Sequence, residues 1–227
     1  MALPIEDWSR LRHARLFASL SEDDFRQVVG APRLETLAEG RTLFVQDTPA
    51  TSFYVVLEGW MVLTRRQADG ERAVVRLVGP GESFAEALIT LGVRYPVTAE
   101  AATAARLVRF DTATFRTHIV DNPRIALAVI AACYRQLHEL VEHIEHVKTW
   151  SARRRLACFI LNSTAQRSGP LTIELPVERS LIAARLGMTA STLSRTFALL
   201  LPLGVTAQGR SVHVAELGVL HTFVQQQ

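Results

Sequence analysis

LIAARLGMTASTLSRTFALLL, from Leu181 to Leu201, predicts two short helices joined by a tight turn. In the first helix Ile182 and Leu186 lie on one apolar face, and Gly187 interrupts that face. Thr189 then supplies a hydroxyl group at the position where an N-cap residue starts the second helix. The pattern predicts a helix-turn-helix. The alternative is a pair of packed core helices with a glycine turn.

The second helix has two unlike faces. The face predicted to point inward is apolar and consists of Leu193, Phe197 and Leu200. The face predicted to point outward is short, polar and basic and consists of Ala190, Ser191, Ser194 and Arg195. A helix with such a face can approach a major groove closely, where arginine bonds guanine O6 and N7 and hydroxyls bond phosphates or base edges. We therefore expect this helix to bind double-stranded DNA.

Composition and chain length favour a globular protein of one large or two modest domains. The chain has 227 residues, of which 48% are hydrophobic, and its apolar runs are broken by charges well short of a membrane span. Its N-terminal stretch lacks the apolar core of a secretory signal, so we expect a cytoplasmic protein with no membrane partner. Cys133 and Cys158 are isolated in sequence, which argues against a disulfide framework and against an iron-sulfur cluster.

Charge is distributed unevenly along the chain. Residues 151–227 contain eight arginines and three glutamates but no lysine or aspartate, a net charge of +5. The first 150 residues carry 17 basic and 19 acidic side chains, a net charge of −2. A basic C-terminal third is expected when only that part of a protein contacts a polyanion. A solvated basic face without a partner is the alternative.

The front of the chain predicts helices followed by a β-rich region. Apolar residues recur three positions apart at Trp8, Leu11, Ala14 and Phe17. They predict a short helix over residues 6–18, and Ser21 is a candidate N-cap for a second helix. From Arg33 to Phe110 short strand-like runs alternate with turn signals, a pattern typical of an antiparallel roll or barrel. A further short helix is predicted from Asp111 to His118.

Asn122 and Pro123 predict the start of a long helix, with asparagine as the N-cap and proline at the first helical position. Apolar residues then repeat every seven positions in two series. These are Ile130, Leu137 and Ile144, and Ala126, Cys133, Leu140 and Val147. Such a seam predicts a parallel homodimer, which would bring two DNA-reading helices to a palindromic site. The alternative is a helix that lies on its own roll, as we expect for part of the extra stripe at Leu127, Tyr134 and Val141.

The C-terminal third predicts a winged helix-turn-helix. Ser151 is a candidate N-cap for a helix whose first turn is the basic run 153–155, and residues 171–175 form a short strand. After the helix-turn-helix, two strand-like runs flank a glycine-containing turn at 208–210. This hairpin would place Arg210 near a DNA phosphate. An exposed hairpin arginine without a ligand is the alternative.

Four motifs of this chain resemble those of the Crp-Fnr superfamily of bacterial transcription regulators. They are FYVVLEG (Phe53–Gly59), GPGESFAEALITL (Gly79–Leu91), DNPRIALAVI (Asp121–Ile130) and GMTASTLSR (Gly187–Arg195). The resemblance covers nearly the whole chain and implies an α+β fold. It implies an effector-sensing, cyclic-nucleotide-binding-like β-roll with N-terminal helices at 1–121, a dimerisation helix and hinge at 122–150, and a winged helix-turn-helix DNA-binding domain at 151–227. It also implies a dimer that senses a small effector, binds palindromic DNA and recruits or blocks RNA polymerase.

The resemblance also assigns roles in DNA binding. Ser194 and Arg195 match positions at which the family reads bases, and Arg179 matches an arginine that contacts phosphate. Ser191 replaces the usual glutamate, which accepts a hydrogen bond from cytosine, so we expect a different half-site. Thr196 replaces a commonly apolar residue, so we expect slightly looser packing. The expected DNA contacts are Arg179, Thr189, Ser191, Thr192, Ser194, Arg195 and Arg210.

Members of the superfamily that bind cyclic AMP hold it with a glycine-glutamate-leucine run and an arginine-serine pair. Only Glu86 of the first run is present here, and Pro96 and Val97 replace the pair. Losing one charge-assisted hydrogen bond costs about 1.5 to 3 kcal/mol, so cyclic AMP is not the expected effector. The predicted effector pocket, between roll and long helix, consists of Phe84, Glu86, Pro96, Val97, Tyr134, Leu140 and Val141.

The stretch FAEALITL, the seam and residues 171–195 resemble most closely the dissimilatory nitrate respiration regulators, which resemble nitric oxide sensors that use haem. The resemblance therefore implies haem as a cofactor, which needs a dry cavity and an axial ligand such as histidine. The candidate ligands are His13, His118, His138, His143 and His146, and none has a spacing that identifies it. A surface or hydrogen-bonded histidine is the alternative for each.

Two other classes of function are alternatives. An enzyme would need an acid or base partner near Glu86, or a nucleophile motif, and the sequence offers neither, so we do not expect an enzyme. A small-molecule-binding regulatory module that acts without DNA would explain the roll. It would leave the basic C-terminal third without a role.

Overall fold

A computed structural model of the chain describes residues 4–30, 32–86, 94–164, 166–175 and 177–226. The end of the predicted motif Gly79–Leu91 therefore lies outside the described residues. The first part of the chain contains α1 (Ile5–Arg12), α2 (Glu22–Val29), β1 (Arg33–Leu37), β2 (Thr42–Phe44), β3 (Ser52–Glu58), β4 (Met61–Arg66), β5 (Arg72–Val78), β6 (Ser83–Phe84), β7 (Thr98–Ala101) and β8 (Ala105–Asp111). The second part contains α3 (Thr112–Asp121), α4 (Pro123–Thr149), α5 (Ala152–Asn162), β9 (Leu171–Glu174), α6 (Arg179–Arg185), α7 (Ala190–Leu200), β10 (Val205–Gln208), β11 (Ser211–Val214) and α8 (Leu217–Gln225).

The predicted roll is confirmed as two four-stranded antiparallel sheets, with strand orders β1-β8-β3-β6 and β2-β7-β4-β5. Strand β3 shows how the sequence builds it, because successive side chains point to opposite faces. Phe53 and Val55 pack against the helices, whereas Tyr54 and Val56 face the interior of the roll. Both faces are buried, which explains the continuous apolar run in this strand.

The turn between β3 and β4 needs a glycine. Gly59 has a φ of +77°, and a Cβ there would lie 2.1 Å from the carbonyl oxygen of Ala104. Backbone conformation and close approach therefore both exclude a side chain at this position. The glycine divides the long strand-like run of the sequence into two strands, which belong to the two different sheets of the roll.

The N-terminal helix is shorter than predicted over residues 6–18. Helix α1 ends at Arg12, and the backbone N–H groups of Ala14 and Phe17 donate to carbonyls three residues earlier at 3.1 and 2.9 Å. An apolar spacing of three fits such turns, which repeat every 3.0 residues, better than it fits an α-helix. The Ser21 cap is confirmed, because its hydroxyl accepts from the N–H of Asp24 at 3.1 Å.

The face of α4 that packs on the N-terminal core differs from the prediction. Leu127 and Tyr134, which were expected to lie on the roll, are 66% and 69% exposed. The buried positions are instead Ile125, Ala128 and Ala132. Val141, the third residue of that stripe, is 53% exposed. The prediction for this stripe is wrong because alanines, whose small side chains allow the helix backbone to come close, form the contact.

The C-terminal part contains a three-stranded antiparallel sheet with strand order β10-β11-β9. Helix α5 packs against α7 and α8, and its N-cap is Ser151 as predicted. Helix α8 was not predicted. Its N-cap is Glu216, whose carboxylate accepts from the N–H groups of Gly218 at 2.9 Å and Gly169 at 2.7 Å.

The chain divides into two compact units, residues 1–138 and 139–227, so helix α4 contributes to both. The α+β class, the roll, the long helix and the winged helix-turn-helix are all confirmed. Among the helices that the structure describes, none has the length and apolar character needed to cross a membrane.

Candidate nucleic-acid interface

The turn between α6 and α7 is built around Gly187. The residues that pack the two helices together are buried, and they are Ile182, Ala183, Leu186, Leu193, Phe197 and Leu200. Gly187 has a φ of +63°, and a Cβ there would lie 3.1 Å from a methyl group of Val147 in the last turn of α4. The left-handed conformation favours glycine here, and a side chain would also crowd Val147. The helix-turn-helix prediction is confirmed.

A cluster of hydroxyl groups starts helix α7. The Thr189 hydroxyl accepts from the N–H of Thr192 at 3.2 Å, which confirms it as the N-cap. It also lies 2.9 Å from the hydroxyl of Thr192 and 3.0 Å from that of Ser191. Three side chains predicted to contact DNA are therefore held together at the N-terminus of α7, where the helix dipole favours an anion.

The outward face of α7 is open. Ala190, Ser191, Ser194 and Arg195 are exposed, as predicted. The Ser194 hydroxyl donates to the carbonyl of Ala190 at 3.2 Å. Among the described residues Arg195 has no hydrogen-bond or ion-pair partner, so its guanidinium is available to an external acceptor.

Thr196 packs differently from our expectation of loosened packing. It is only 2% exposed, and its hydroxyl donates to the carbonyl of Thr192 at 2.7 Å, one turn earlier. A buried hydroxyl with a hydrogen-bond acceptor is tolerated in a core. A backbone carbonyl of the same helix therefore provides the hydrogen bond that the Thr196 hydroxyl needs at this commonly apolar position.

Arg179 begins helix α6 and lies against the ring of Phe197. Its guanidinium carbon is 5.2 Å from the ring centroid. Its Nε and Nη2 atoms are buried and have no hydrogen-bond partner among the described residues. Contact with a DNA phosphate would give these donors an acceptor, and it would require the side chain to move away from the ring. The phosphate contact of Arg179 stays a prediction.

The wing consists of β10 and β11, joined by a turn at Gly209, whose φ is +58°. Arg210 is exposed next to this turn, but its Nε donates to the carbonyl of Leu175 at 3.0 Å. The N–H of Leu175 donates in return to the carbonyl of Arg210 at 2.7 Å. The wing arginine is therefore tied to the strand beside it, and its phosphate contact also stays a prediction.

The basic run at the start of α5 has structural roles that the sequence did not reveal. Arg153 lies 5.7 Å from the ring centroid of Phe223, and Arg154 lies 3.9 Å from that of Trp150. Arg155 donates to three backbone carbonyls, those of Val147 at 3.1 Å, Trp150 at 2.7 Å and Leu186 at 2.9 Å. Arg155 therefore joins the end of α4, the start of α5 and the helix-turn-helix turn, whereas Arg154 packs on Trp150 and Arg153 lies against α8.

The predicted dimer seam forms an exposed apolar stripe on α4. Ile130, Leu137, Leu140 and Ile144 are each 49% to 55% exposed, and Cys133 is also exposed. Val147 is half-buried because it packs against Gly187. The predicted seam is therefore exposed from Ile130 to Ile144. Val147, its last residue, packs instead against the helix-turn-helix turn.

The roll interior is filled by aromatic rings. Phe44 stacks on Tyr95 with centroids 3.7 Å apart and lies 5.8 Å from Tyr54 and 6.1 Å from Phe84. The Tyr95 hydroxyl donates to the carbonyl of Ser52 at 2.9 Å. Burial raises the pKa of Tyr54 above its usual range.

The residues of the predicted effector pocket are placed as follows. Phe84 and Val97 belong to the packed aromatic core, Glu86 is half-buried, and Pro96 is exposed. Tyr134 is exposed on α4, as are Leu140 and Val141. Phe84 and Val97 therefore contribute to packing, and the pocket stays a prediction.

The histidine candidates differ in their surroundings. His13 is exposed, and its Nδ1 lies 2.8 Å from the carbonyl oxygen of Ser9, whereas His138 is exposed on α4. His118 is half-buried and lines a cleft of about 380 Å³. The other residues of this cleft are Val28, Val29, Gly30, Pro32, Arg33, Arg109, Phe110, Asp111, Thr114 and Phe115. Across the described residues, no group of three or more histidine, cysteine, aspartate or glutamate side chains is arranged to hold a metal ion.

A β-roll followed by a winged helix-turn-helix with an open reading face defines a two-domain, DNA-binding transcription regulator. Two family models match the chain, the cyclic nucleotide-binding domain at residues 34–122 and the Crp-like helix-turn-helix domain at residues 154–223. The chain belongs to the Crp-Fnr family of transcription regulators.

Similar proteins agree with this assignment. The nitrogen fixation regulation protein FixK of Bradyrhizobium diazoefficiens is 30% identical over 82% of this chain and 79% of its own length. A putative cyclic nucleotide binding protein from Ruegeria pomeroyi has a similar crystal structure, with a TM-score of 0.82, 30% identity and 98% of both chains covered. The structure of DNR from Pseudomonas aeruginosa matches with a TM-score of 0.58 and 25% identity, covering 98% of this chain and 100% of that one.

Proposed function

We propose that this protein is a homodimeric regulator that binds a palindromic DNA site through α7 and thereby recruits or blocks RNA polymerase. One observation carries the proposal: Arg195 is exposed beside Ser191 and Ser194 on a capped helix, without a partner among the described residues. A long basic side chain on a face of small residues suits the floor of a major groove. We infer a regulator rather than an enzyme.

The apolar stripe on α4 supports the dimer. Soluble monomers rarely expose a contiguous row of large apolar side chains, and the heptad spacing of this row suits a second copy of the same helix. A two-fold axis along α4 would present two α7 helices to DNA with matching symmetry.

Selection of binding sites from random DNA with the full-length protein tests the proposal. An inverted repeat should emerge, with half-site centres about one helical turn, or about 10 base pairs, apart. Recovery of no repeated sequence, with equal affinity for all DNA, would contradict sequence-specific binding. Deleting residues 151–227 separates the alternative, since a regulatory module that acts without DNA would keep its function.

We propose that the signal sensed by the roll is not cyclic AMP. Pro96 and Val97 lack the charge and hydroxyl that would hold a cyclic phosphate, and Val97 is buried in the aromatic core. Calorimetry with cyclic AMP should show no binding at low micromolar concentration. A clear micromolar isotherm would overturn this proposal.

We further propose that the signal is nitric oxide sensed through haem, as the resemblance to the dissimilatory nitrate respiration regulators implies. The His118 cleft suits such a group better than the surroundings of His13 and His138. It offers one imidazole as an iron ligand and two arginines that could bind the haem carboxylates. Its apolar side chains are Val28, Val29 and Phe115. Its volume of about 380 Å³ falls in the range of ligand sites. Haem would supply the iron that binds the gas.

Absorption spectra after haem addition test this proposal. The full-length protein should give a shifted, saturable haem band, and His118→Ala should lose it while His13→Ala keeps it. A spectrum that His118→Ala leaves unchanged would exclude this cleft. A spectrum identical to that of free haem would exclude haem binding altogether.

A further inference from the structure

A second cleft, of about 180 Å³, lies where the last turns of α4 meet α5 and the end of α6. Basic side chains reach it from all three helices, namely His143 and His146 from α4, Arg155 from α5 and Arg185 from α6. The remaining wall consists of Trp150, Cys158, Phe159, Asn162 and Leu186. No aspartate or glutamate is among the described residues that line it.

The electrostatic surroundings of His143 show the effect of this arrangement. Burial, together with the positive charges of Arg185, His146 and Arg155, lowers the pKa of His143 below its usual range. The three charged groups that lower this pKa all line the cleft. The Cys158 thiol adds no charge, because burial raises its pKa. A local excess of positive charge favours an anion.

The cleft is rigidly framed. The ring of His146 stacks on that of Trp150 with centroids 3.6 Å apart, and the guanidinium carbon of Arg154 lies 3.9 Å from the Trp150 ring centroid. Arg155 is held by its Nε and Nη1 bonds to three carbonyls. Its Nη2 has no hydrogen bond to the described residues, so two oriented N–H groups remain for a ligand.

We propose that this cleft is a binding site for a small free oxyanion, such as phosphate or a small carboxylate. The ligand would accept hydrogen bonds from Arg155 and Arg185 and from the imidazoles of His143 and His146. The volume suits a compact anion and is small for a nucleotide. Asn162 adds a neutral donor at the edge.

The site is placed to influence DNA binding. Arg155 bonds the carbonyl of Leu186, the residue immediately before the helix-turn-helix glycine, and it also bonds Val147 and Trp150 at the end of α4. An anion that draws Arg155 and Arg185 together would therefore act on the orientation of α7. This consequence rests on the proposed function, whereas anion binding itself does not.

Histidine NMR on the full-length protein without DNA tests the site, with inorganic phosphate as the probe and chloride at equal ionic strength as the reference. Phosphate should raise the pKa of His143 in a saturable manner. Arg185→Gln should weaken phosphate binding by about tenfold or more, because one charge-assisted hydrogen bond is lost. Arg185→Lys keeps the positive charge and should retain part of the affinity. Arg167→Gln, at an exposed arginine outside the cleft, is the matched control and should change nothing.

Two results would overturn the proposal. One is a His143 titration that is the same in phosphate and in chloride. The other is equal weakening by Arg185→Gln and Arg167→Gln, which would indicate only general attraction to a basic domain. If Arg185→Gln does not fold, His143→Asn takes its place, and the His146 signal is then the readout. Because DNA is absent, failure of the DNA-binding proposal would leave this result unaffected.

Discussion

Replacing Leu137 and Ile144 together by alanine should convert the dimer to monomers. Truncating a fully buried leucine or isoleucine costs about 2 to 5 kcal/mol. These side chains are 55% and 52% exposed in one protomer, so dimerisation can bury only about half of each. The expected loss is therefore about 1 to 2.5 kcal/mol per side chain, or about 4 to 10 kcal/mol for the four in a dimer. Because each 1.4 kcal/mol changes an equilibrium constant about tenfold, the Kd of the dimer should rise by about 10³-fold to 10⁷-fold.

Sedimentation velocity over a protein concentration series measures this change. The matched control is Leu199→Ala with Leu201→Ala, since these leucines are 55% and 54% exposed in the C-terminal unit and lie outside the seam. The control should leave the dimer unchanged. If the seam variant remains as dimeric as the wild type, the interface lies elsewhere, and the heptad reading of α4 is refuted.

Two further predictions concern caps and pH. Thr189→Ala should cost about 1 kcal/mol in denaturant unfolding and should also weaken DNA binding, whereas Ser21→Ala should cost a similar amount and leave DNA binding unchanged. Equal DNA affinities of both variants would contradict a role for the α7 N-terminus. The N–H groups of Gly218 and Gly169 lower the pKa of Glu216. The ionised carboxylate should therefore stabilise the folded protein at neutral pH. This contribution should disappear as the pH falls below about 4.3, the unperturbed pKa of glutamate. In urea unfolding, Glu216→Gln should reduce the loss of unfolding free energy at acid pH. An unchanged pH dependence would contradict the assignment.

Local signals in the sequence predicted much of the fold. The caps at Ser21, Ser151 and Thr189 each require one hydroxyl near a backbone N–H, and all three are confirmed. The apolar repeat of α7 predicted which side chains are buried, because a helix presents positions i and i+4 to the same side. Such features depend on residues close together in the chain.

Features that depend on distant residues were harder to predict. The aromatic core joins Phe44, Tyr54, Phe84 and Tyr95 from separate parts of the roll, and no local pattern reveals that their rings meet. The Arg155 bonds to Leu186 and Val147 also connect separate elements. Helix α8 was missed although Glu216 offered a capping side chain, because its apolar run followed the wing without a turn signal.

The contact of α4 with the N-terminal core was missed for a different reason. Apolar periodicity gives weight to large residues such as Leu127 and Tyr134, yet the helix packs through Ala128 and Ala132. Small residues allow the closest approach of a helix to its support, whereas the large ones remain for a partner. The large apolar side chains of α4 therefore remain exposed, and this exposure supports the predicted dimer seam.

The roles of the arginines around the reading helix test the central claim most directly. Arg195→Ala and Arg179→Ala should be compared on the selected palindrome, on its single-base variants and on random DNA across a salt series. If Arg195 reads a base, its loss should cost about 1 to 3 kcal/mol per half-site and relax specificity at one base pair. Loss of Arg179 should instead weaken all sequences alike and reduce the salt slope by about one per contact. Equal weakening of every sequence by both variants would show that Arg195 is only an anchor and would contradict base reading by α7.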